Sequence, residues 1–244
     1  MSGDGEWIDD VPGQQTAPRR EEAGAYVEDL PSVEEPRAWA QLAIVVADGS
    51  ESMRWELHPD TSVENSTAGC KADAVNIATR ELVNRLAASD KKGNYDFAFV
   101  AFNDHVTDSR DPKKITEAGG SFDPTANGIG GTSYAAGLEK AEQIARDYLA
   151  AQHQGLPSGV VVLLLGDGQD NRDASAAKAA ADRIKGMGNA QIAAAFFATK
   201  GDPSTGASFL QELASSANLY STVYNAEQLR KFFHDSVTEA QFGS

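Results

Sequence analysis

A single cysteine, Cys70, stands in 244 residues, so neither an internal disulfide nor a cysteine-built metal cage can form. Histidine is nearly as scarce. His58, His105, His153 and His234 are scattered too widely to pattern a zinc site or a Ser-His-Asp set. Basic residues are also short, with 21 Lys+Arg against 36 Asp+Glu and a formal net charge of −15. A nucleic-acid or anionic-membrane binder needs the opposite sign. No apolar run approaches the roughly 18 residues of a membrane span, and the N-terminus lacks the charged start and apolar stretch of a secretory signal. These absences predict a soluble, cytoplasmic chain that binds neither nucleic acid nor membrane. Hydrophobic residues still make up 41% of the chain, ample for the core of one α/β domain.

Residues 1–37 differ from the rest. They hold ten acids against three bases, nearly half of the net charge, and four of the nine prolines. Such a segment buries little apolar surface and is expected to be an acidic, solvated tail. Trp7, Ile8, Tyr26, Val27 and Leu30 are its sparse anchors. Residues 38–244 are expected to form the folded domain. Apolar runs recur at Leu42–Ala47, Tyr95–Phe102, Val160–Leu165, Ile192–Ala198 and Leu219–Val223, the pattern of strands covered on both faces. Between them, apolar residues recur at helical spacing: Val75, Ala78, Leu82 and Leu86; Leu138, Ala141, Ile144 and Tyr148; Ala177, Ala180 and Ile184. Leu229, Phe232, Phe233 and Val237 close the chain in the same way. Alternation of this kind predicts a three-layer α/β fold, a mainly parallel sheet with helices on both faces. Ligands of such folds sit at the carboxyl ends of the strands. The long polar stretch Met53–Cys70 is expected to be a functional loop on that rim.

Three segments carry chemistry. The first predicted strand ends in Asp48-Gly49-Ser50-Glu51-Ser52-Met53. In an extended turn, alternate side chains point the same way, so one carboxylate and two hydroxyls would converge. Such hard oxygen donors suit Mg²⁺, Mn²⁺ or Ca²⁺ rather than zinc or copper. Gly130-Gly131-Thr132-Ser133 precedes the second helix, where the glycines permit close backbone approach and Thr132 or Ser133 can cap. The strongest strand ends in Gly166-Asp167-Gly168-Gln169-Asp170, with Asp167 placed like Asp48. Asp170 is expected to cap a helix from Asn171 onward, and Asp104 and Asp108 read as loop acids after the second long strand.

The set Asp48, Ser50, Ser52, Thr132 and Asp167 resembles the von Willebrand factor A domain over about residues 40–240. In that family the five residues form the metal-ion-dependent adhesion site (MIDAS). The resemblance implies that Ser50, Ser52 and Thr132 touch the metal through hydroxyls. Asp48 and Asp167 would act through bound water, or bind directly in one of two states. Neutral hydroxyls leave the cation's charge poorly offset, so an open coordination position attracts a partner's carboxylate. It further implies a binding module and not an enzyme, with Mg²⁺ as the first candidate ion. The Gly-Gly-Thr-Ser turn, its Gly137-Leu138-Glu139 helix and the Leu163-Leu164-Leu165-Gly166-Asp167-Gly168 strand look most like intracellular bacterial TerY-like members of stress-response gene clusters. That would make the chain an adaptor in a multi-component system. Two departures stand out. Glu51 replaces a common glycine and is expected to point into solvent or cap the next helix. Gly166 removes a hydroxyl that some members use near the metal.

Other readings fit less well. An EF-hand loop starting at Asp167 would need Gly at Arg172 and Glu at Lys178. No Gly-Lys-Ser/Thr follows a glycine turn, and the first turn is not G-x-G-x-x-G. A Mg²⁺-dependent haloacid-dehalogenase-type phosphatase is the enzyme alternative, but it wants a second aspartate where this chain has Ser50.

Overall fold

A computed structural model of the chain describes residues 37–55, 69–168, 172–198 and 205–240. The acidic segment 1–36 and most of the expected rim loop, 56–68, lie outside the described residues, as does Asp170.

The apolar runs form the strands β1 (Ala40–Asp48), β2 (Tyr95–Phe102), β4 (Ser158–Gly166), β5 (Ala190–Phe197) and β6 (Tyr220–Val223). With β3 (Val106–Lys114) they build one six-stranded sheet in the order β3-β2-β1-β4-β5-β6. Every pairing is parallel except that of β2 with β3. All nine residues of β1 are buried, as the near-continuous apolar run requires of a strand covered on both sides. Its side chains alternate between two cores. Leu42, Ile44 and Val46 pack with α2 (Tyr134–Ala150), α3 (Ala174–Lys185) and α4 (Thr205–Leu213). Ala43, Val45 and Ala47 pack with α1 (Lys71–Ala87) and α5 (Ala226–Thr238). Three layers follow directly from that alternation. Among the described residues, no helix is long and apolar enough to cross a membrane.

The topology fixes where a ligand can sit. From β1 the chain moves outward to β2 and β3, then returns past β1 to β4 on the other side. The strand order therefore reverses between β1 and β4, and a crevice opens there at the carboxyl ends. The register pairs Ala47 with Leu165, so Asp48 and Asp167 emerge side by side at that point.

Two expectations need correction. The β3 segment, read as a loop holding Asp108, is an antiparallel edge strand with a polar sequence. An edge strand in water needs no apolar alternation, and Pro112 falls where the register shifts opposite Phe97 and Phe99, so its missing N–H breaks no ladder. The third helix starts at Ala174 and is capped by Asp173, whose carboxylate accepts the Ser175 and Ala176 N–H groups; the cap expected at Asp170 is thus displaced by three residues. Helix α4 adds to the helices expected from the sequence: at nine residues it spans about two and a half turns, too short for its apolar spacing to repeat.

Candidate functional site

The first turn is not the extended ribbon expected of it. Ser50 is extended, but Glu51–Arg54 wind into a short 3₁₀ helix. Convergence of the two hydroxyls comes from that winding, which leaves the Ser50 and Ser52 oxygens 3.0 Å apart. Glu51 is exposed, in line with its expected solvated state. The Ser50 N–H donates to Asp48 Oδ1 at 2.8 Å, closing the turn on its own carboxylate. Gly49 is indispensable here: its N–H donates to the Phe102 carbonyl at 2.6 Å, and a Cβ would lie 2.2 Å from the Pro124 carbonyl oxygen.

Asp167 joins this group from β4. The Ser52 hydroxyl donates to Asp167 Oδ1 at 2.7 Å. Asp48, Ser50, Ser52 and Asp167 are thus linked into one continuous set at the β1–β4 crevice. Thr132 reaches the rim by another route. The Glu51 N–H donates to the Gly130 carbonyl at 3.1 Å, tying the Gly-Gly-Thr turn to the first turn two residues before Thr132, which is buried. Asp104 braces the turn from β2's side, accepting the Gly131 N–H at 3.0 Å and Arg172 Nε at 2.7 Å. Those contacts hold its carboxyl below the usual carboxylate range, the Gly131 N–H chief among them. It remains a loop acid, but one that positions the Gly130-Gly131-Thr132-Ser133 turn. The helix cap falls to Ser133, which accepts the Ala136 N–H.

Asp48 is the electrostatic anomaly. It is fully buried, and its Oδ2 has no hydrogen-bond partner. Burial first, and the Asp167 carboxylate second, push its pKa up to about 8. A dry, unpartnered carboxylate oxygen asks for a proton or a cation. With two serine hydroxyls and a second carboxylate joined to it, the donor set is all hard oxygen, which suits Mg²⁺, Mn²⁺ or Ca²⁺. The residues therefore fit a divalent cation. Among the described residues no group of three or more His, Cys, Asp or Glu gathers elsewhere as a metal cage.

Two participants escaped the sequence reading. Lys71, the first residue of α1, is 1% exposed, and its Nζ donates to Asp167 Oδ2 at 2.5 Å. A lysine at a helix start looks like an ordinary solvated residue; its one sequence signal is that it opposes the helix macrodipole. Tyr134 is the other. Its hydroxyl donates to the Gly168 carbonyl at 3.1 Å, and a Cβ on Gly166 would stand 1.8 Å from the Tyr134 hydroxyl oxygen. The Tyr134 hydroxyl from α2 thus occupies the space that a side chain at Gly166 would need.

No family model and no curated protein matches the chain. Solved structures do. The pilus adhesin SpaC from Lactobacillus rhamnosus GG is 14% identical, with a TM-score of 0.62 over 84% of this chain and 31% of its own. The von Willebrand domain of the type V pili tip protein Mfa5 from Porphyromonas gingivalis is 12% identical, with a TM-score of 0.60 over 86% of this chain and 99% of its own. Proximal thread matrix protein 1 from the mussel byssus, solved with a zinc-occupied MIDAS motif, is 21% identical, with a TM-score of 0.51 over 83% of this chain and 46% of its own. The chain thus spans under half the length of SpaC and of the mussel protein. The likeness shows that the fold is that of a von Willebrand factor A domain.

Proposed function

We propose that this chain is a divalent-cation-dependent protein–protein interaction module. Asp48, Ser50, Ser52, Thr132 and Asp167 hold the ion, Mg²⁺ first and Mn²⁺ or Ca²⁺ next, and a carboxylate of the partner protein completes its shell. The observation that carries this reading is the joined oxygen set at the β1–β4 crevice with the unpartnered Asp48 Oδ2 beside it. A hydroxyl-rich shell leaves a dication hungry for an outside anion, which makes the site adhesive.

The surroundings agree with a docking role. Trp55, Ile129 and Tyr224 are the large apolar side chains most exposed among the described residues. Trp55 follows the 3₁₀ turn and Ile129 precedes the Gly130 tie, so both flank the crevice, while Tyr224 follows the parallel edge strand β6, farther along the same carboxyl end of the sheet. Apolar rim groups flanking a charged centre are what a protein partner would desolvate. SpaC, a pilus adhesin, and Mfa5, a pili tip protein, support an interaction module on this fold. The division into a 1–37 acidic tail and a 38–244 binding domain belongs to the same proposal. So does the TerY-like, cytoplasmic adaptor role, on the sequence motifs alone.

Calorimetry on chelator-stripped protein tests the reading. The wild type should bind Mg²⁺ or Mn²⁺ saturably, and Thr132→Ala should weaken binding at least tenfold with an unchanged circular dichroism spectrum. A wild type that takes up no divalent cation at millimolar concentration sinks the proposal. Mg²⁺-dependent turnover of a generic phosphate ester, abolished by Asp48→Asn, would favour the phosphatase instead.

A further inference from the structure

The Lys71 ammonium sits where the charge of a bound metal ion would be felt most. Its Nζ contacts Asp167 Oδ2 at 2.5 Å, and both side chains are 2% exposed. A lysine this deeply buried persists only when paired, and its position at the start of α1 sets it against the helix dipole. The helix does not need it there. Its N-terminus is already closed by Asp73, which accepts the Cys70 and Gly69 N–H groups. What retains Lys71 is therefore Asp167. On the other side, its Nζ lies 5.9 Å from the ring centroid of Trp55, which is 62% exposed.

We propose that Lys71 sets the affinity of the site: its ammonium is a resident counter-cation on Asp167, and a divalent ion binds only as that ammonium leaves toward the face of Trp55. This rests on reading the joined oxygens as a cation site. The physical reason is competition for one carboxylate. Asp167 can satisfy the ammonium or the metal, and a dication beside a trapped ammonium meets repulsion that a dry crevice screens poorly. Trp55 offers the displaced ammonium an electron-rich face at the water boundary, so the long lysine stem need only swing. Two consequences follow. Metal affinity is held down in the resting protein, so a partner's carboxylate contributes a decisive part of the ion's retention. The exposed indole on the rim also changes its surroundings as metal enters, which couples occupancy to the docking surface.

The experiment is calorimetry with MgCl₂ and MnCl₂ on the chelator-stripped full chain, comparing wild type, Lys71→Met and Lys71→Gln. Removal of the ammonium should tighten binding at least tenfold, in either variant. Thermal melts establish that the variants fold, and the glutamine keeps a neutral donor toward Asp167 should the methionine destabilise the helix start. Metal should also alter the tryptophan emission of the wild type, and this change should vanish in Trp55→Phe. Equal or weaker affinity in both folded variants overturns the competition while leaving the cation site intact. Binding by the variants with none by the wild type upholds the competition and removes the metal-dependent function of the natural chain. Silence in all three proteins removes both.

Discussion

Asp48 carries the sharpest consequence of the site at the level of single side chains. Its carboxyl is pushed up to about 8 from 3.8, by burial above all and then by Asp167. The metal-free folded protein therefore holds a proton that the unfolded chain releases near pH 4. Stability contributed by this group is complete below about pH 4 and is lost as pH rises toward about 8, at up to about 1.4 kcal/mol per pH unit. Asparagine imitates the protonated acid. In chelator, Asp48→Asn should flatten the slope and melt higher than wild type at pH 8, while no longer binding Mg²⁺. Thermal melts across this pH range decide it, and a metal-free wild type that gains stability between pH 5 and 8 contradicts the argument. The five residues proposed to hold the metal could be named from the sequence because their types and places at strand ends match a known motif: a hard-cation site needs hydroxyls and carboxylates, and strand ends announce themselves by apolar runs that stop. Lys71 was not legible. Nothing local distinguishes a buried lysine from a solvated one until the strand carrying Asp167 is placed beside it, 96 residues away.

Between elements, the site depends on how β4 meets α2. Gly166 ends the strand, and the Tyr134 hydroxyl from the first turn of the helix fills the space a side chain would need. Gly166→Ala should cost about 1–3 kcal/mol by overpacking. Adding Tyr134→Phe should recover part of that loss, because the hydroxyl oxygen is the nearest clashing atom. A urea denaturation cycle over the two singles and the double measures the coupling, and strict additivity would refute it. At the opposite end of the sheet, Asp96 on β2 gathers Arg37 at 2.5 Å, Lys114 of the edge strand at 3.0 Å and the Tyr148 hydroxyl of α2 at 2.6 Å. Burial raises its pKa, but those donors outweigh burial and hold the carboxyl below its usual range. Its contribution is present above about pH 4 and lost as pH falls through the depressed value. Asp96→Asn should therefore destabilise by about 1–3 kcal/mol at pH 7, with the gap to wild type closing in acid. Melts at pH 7 and pH 3 would expose a gap that fails to close. These joints also mark the limits of reading elements from sequence. Strands buried on both faces gave clear runs, whereas β3 is held by pairing to β2 and by Arg110, whose guanidinium lies 5.2 Å from the ring centroid of Phe99 and 5.0 Å from that of Phe122. Tertiary contacts of that kind leave no periodic trace.

The net charge of −15 belongs to the whole molecule and acts on the site from outside it. A field of that sign concentrates cations near the surface and repels acidic partners, with a reach of about 30 Å in 0.01 M salt and about 10 Å in 0.1 M. Metal uptake and partner docking are thus pulled in opposite directions by the same charges, and ionic strength shifts the balance between them. Nearly half of the net charge lies in residues 1–37, with ten acids against three bases. If those charges act only through the field, deleting residues 1–36, which spares the Arg37 pairing with Asp96, should weaken Mg²⁺ binding a few-fold at 0.01 M salt and leave it nearly unchanged at 0.1 M. Acids of that segment that instead compete for the metal would produce the reverse sign: the shortened chain would bind Mg²⁺ more tightly at both salt concentrations. Calorimetric titrations of both chains at the two ionic strengths separate a long-range field from a local competitor, because only the field is erased by salt.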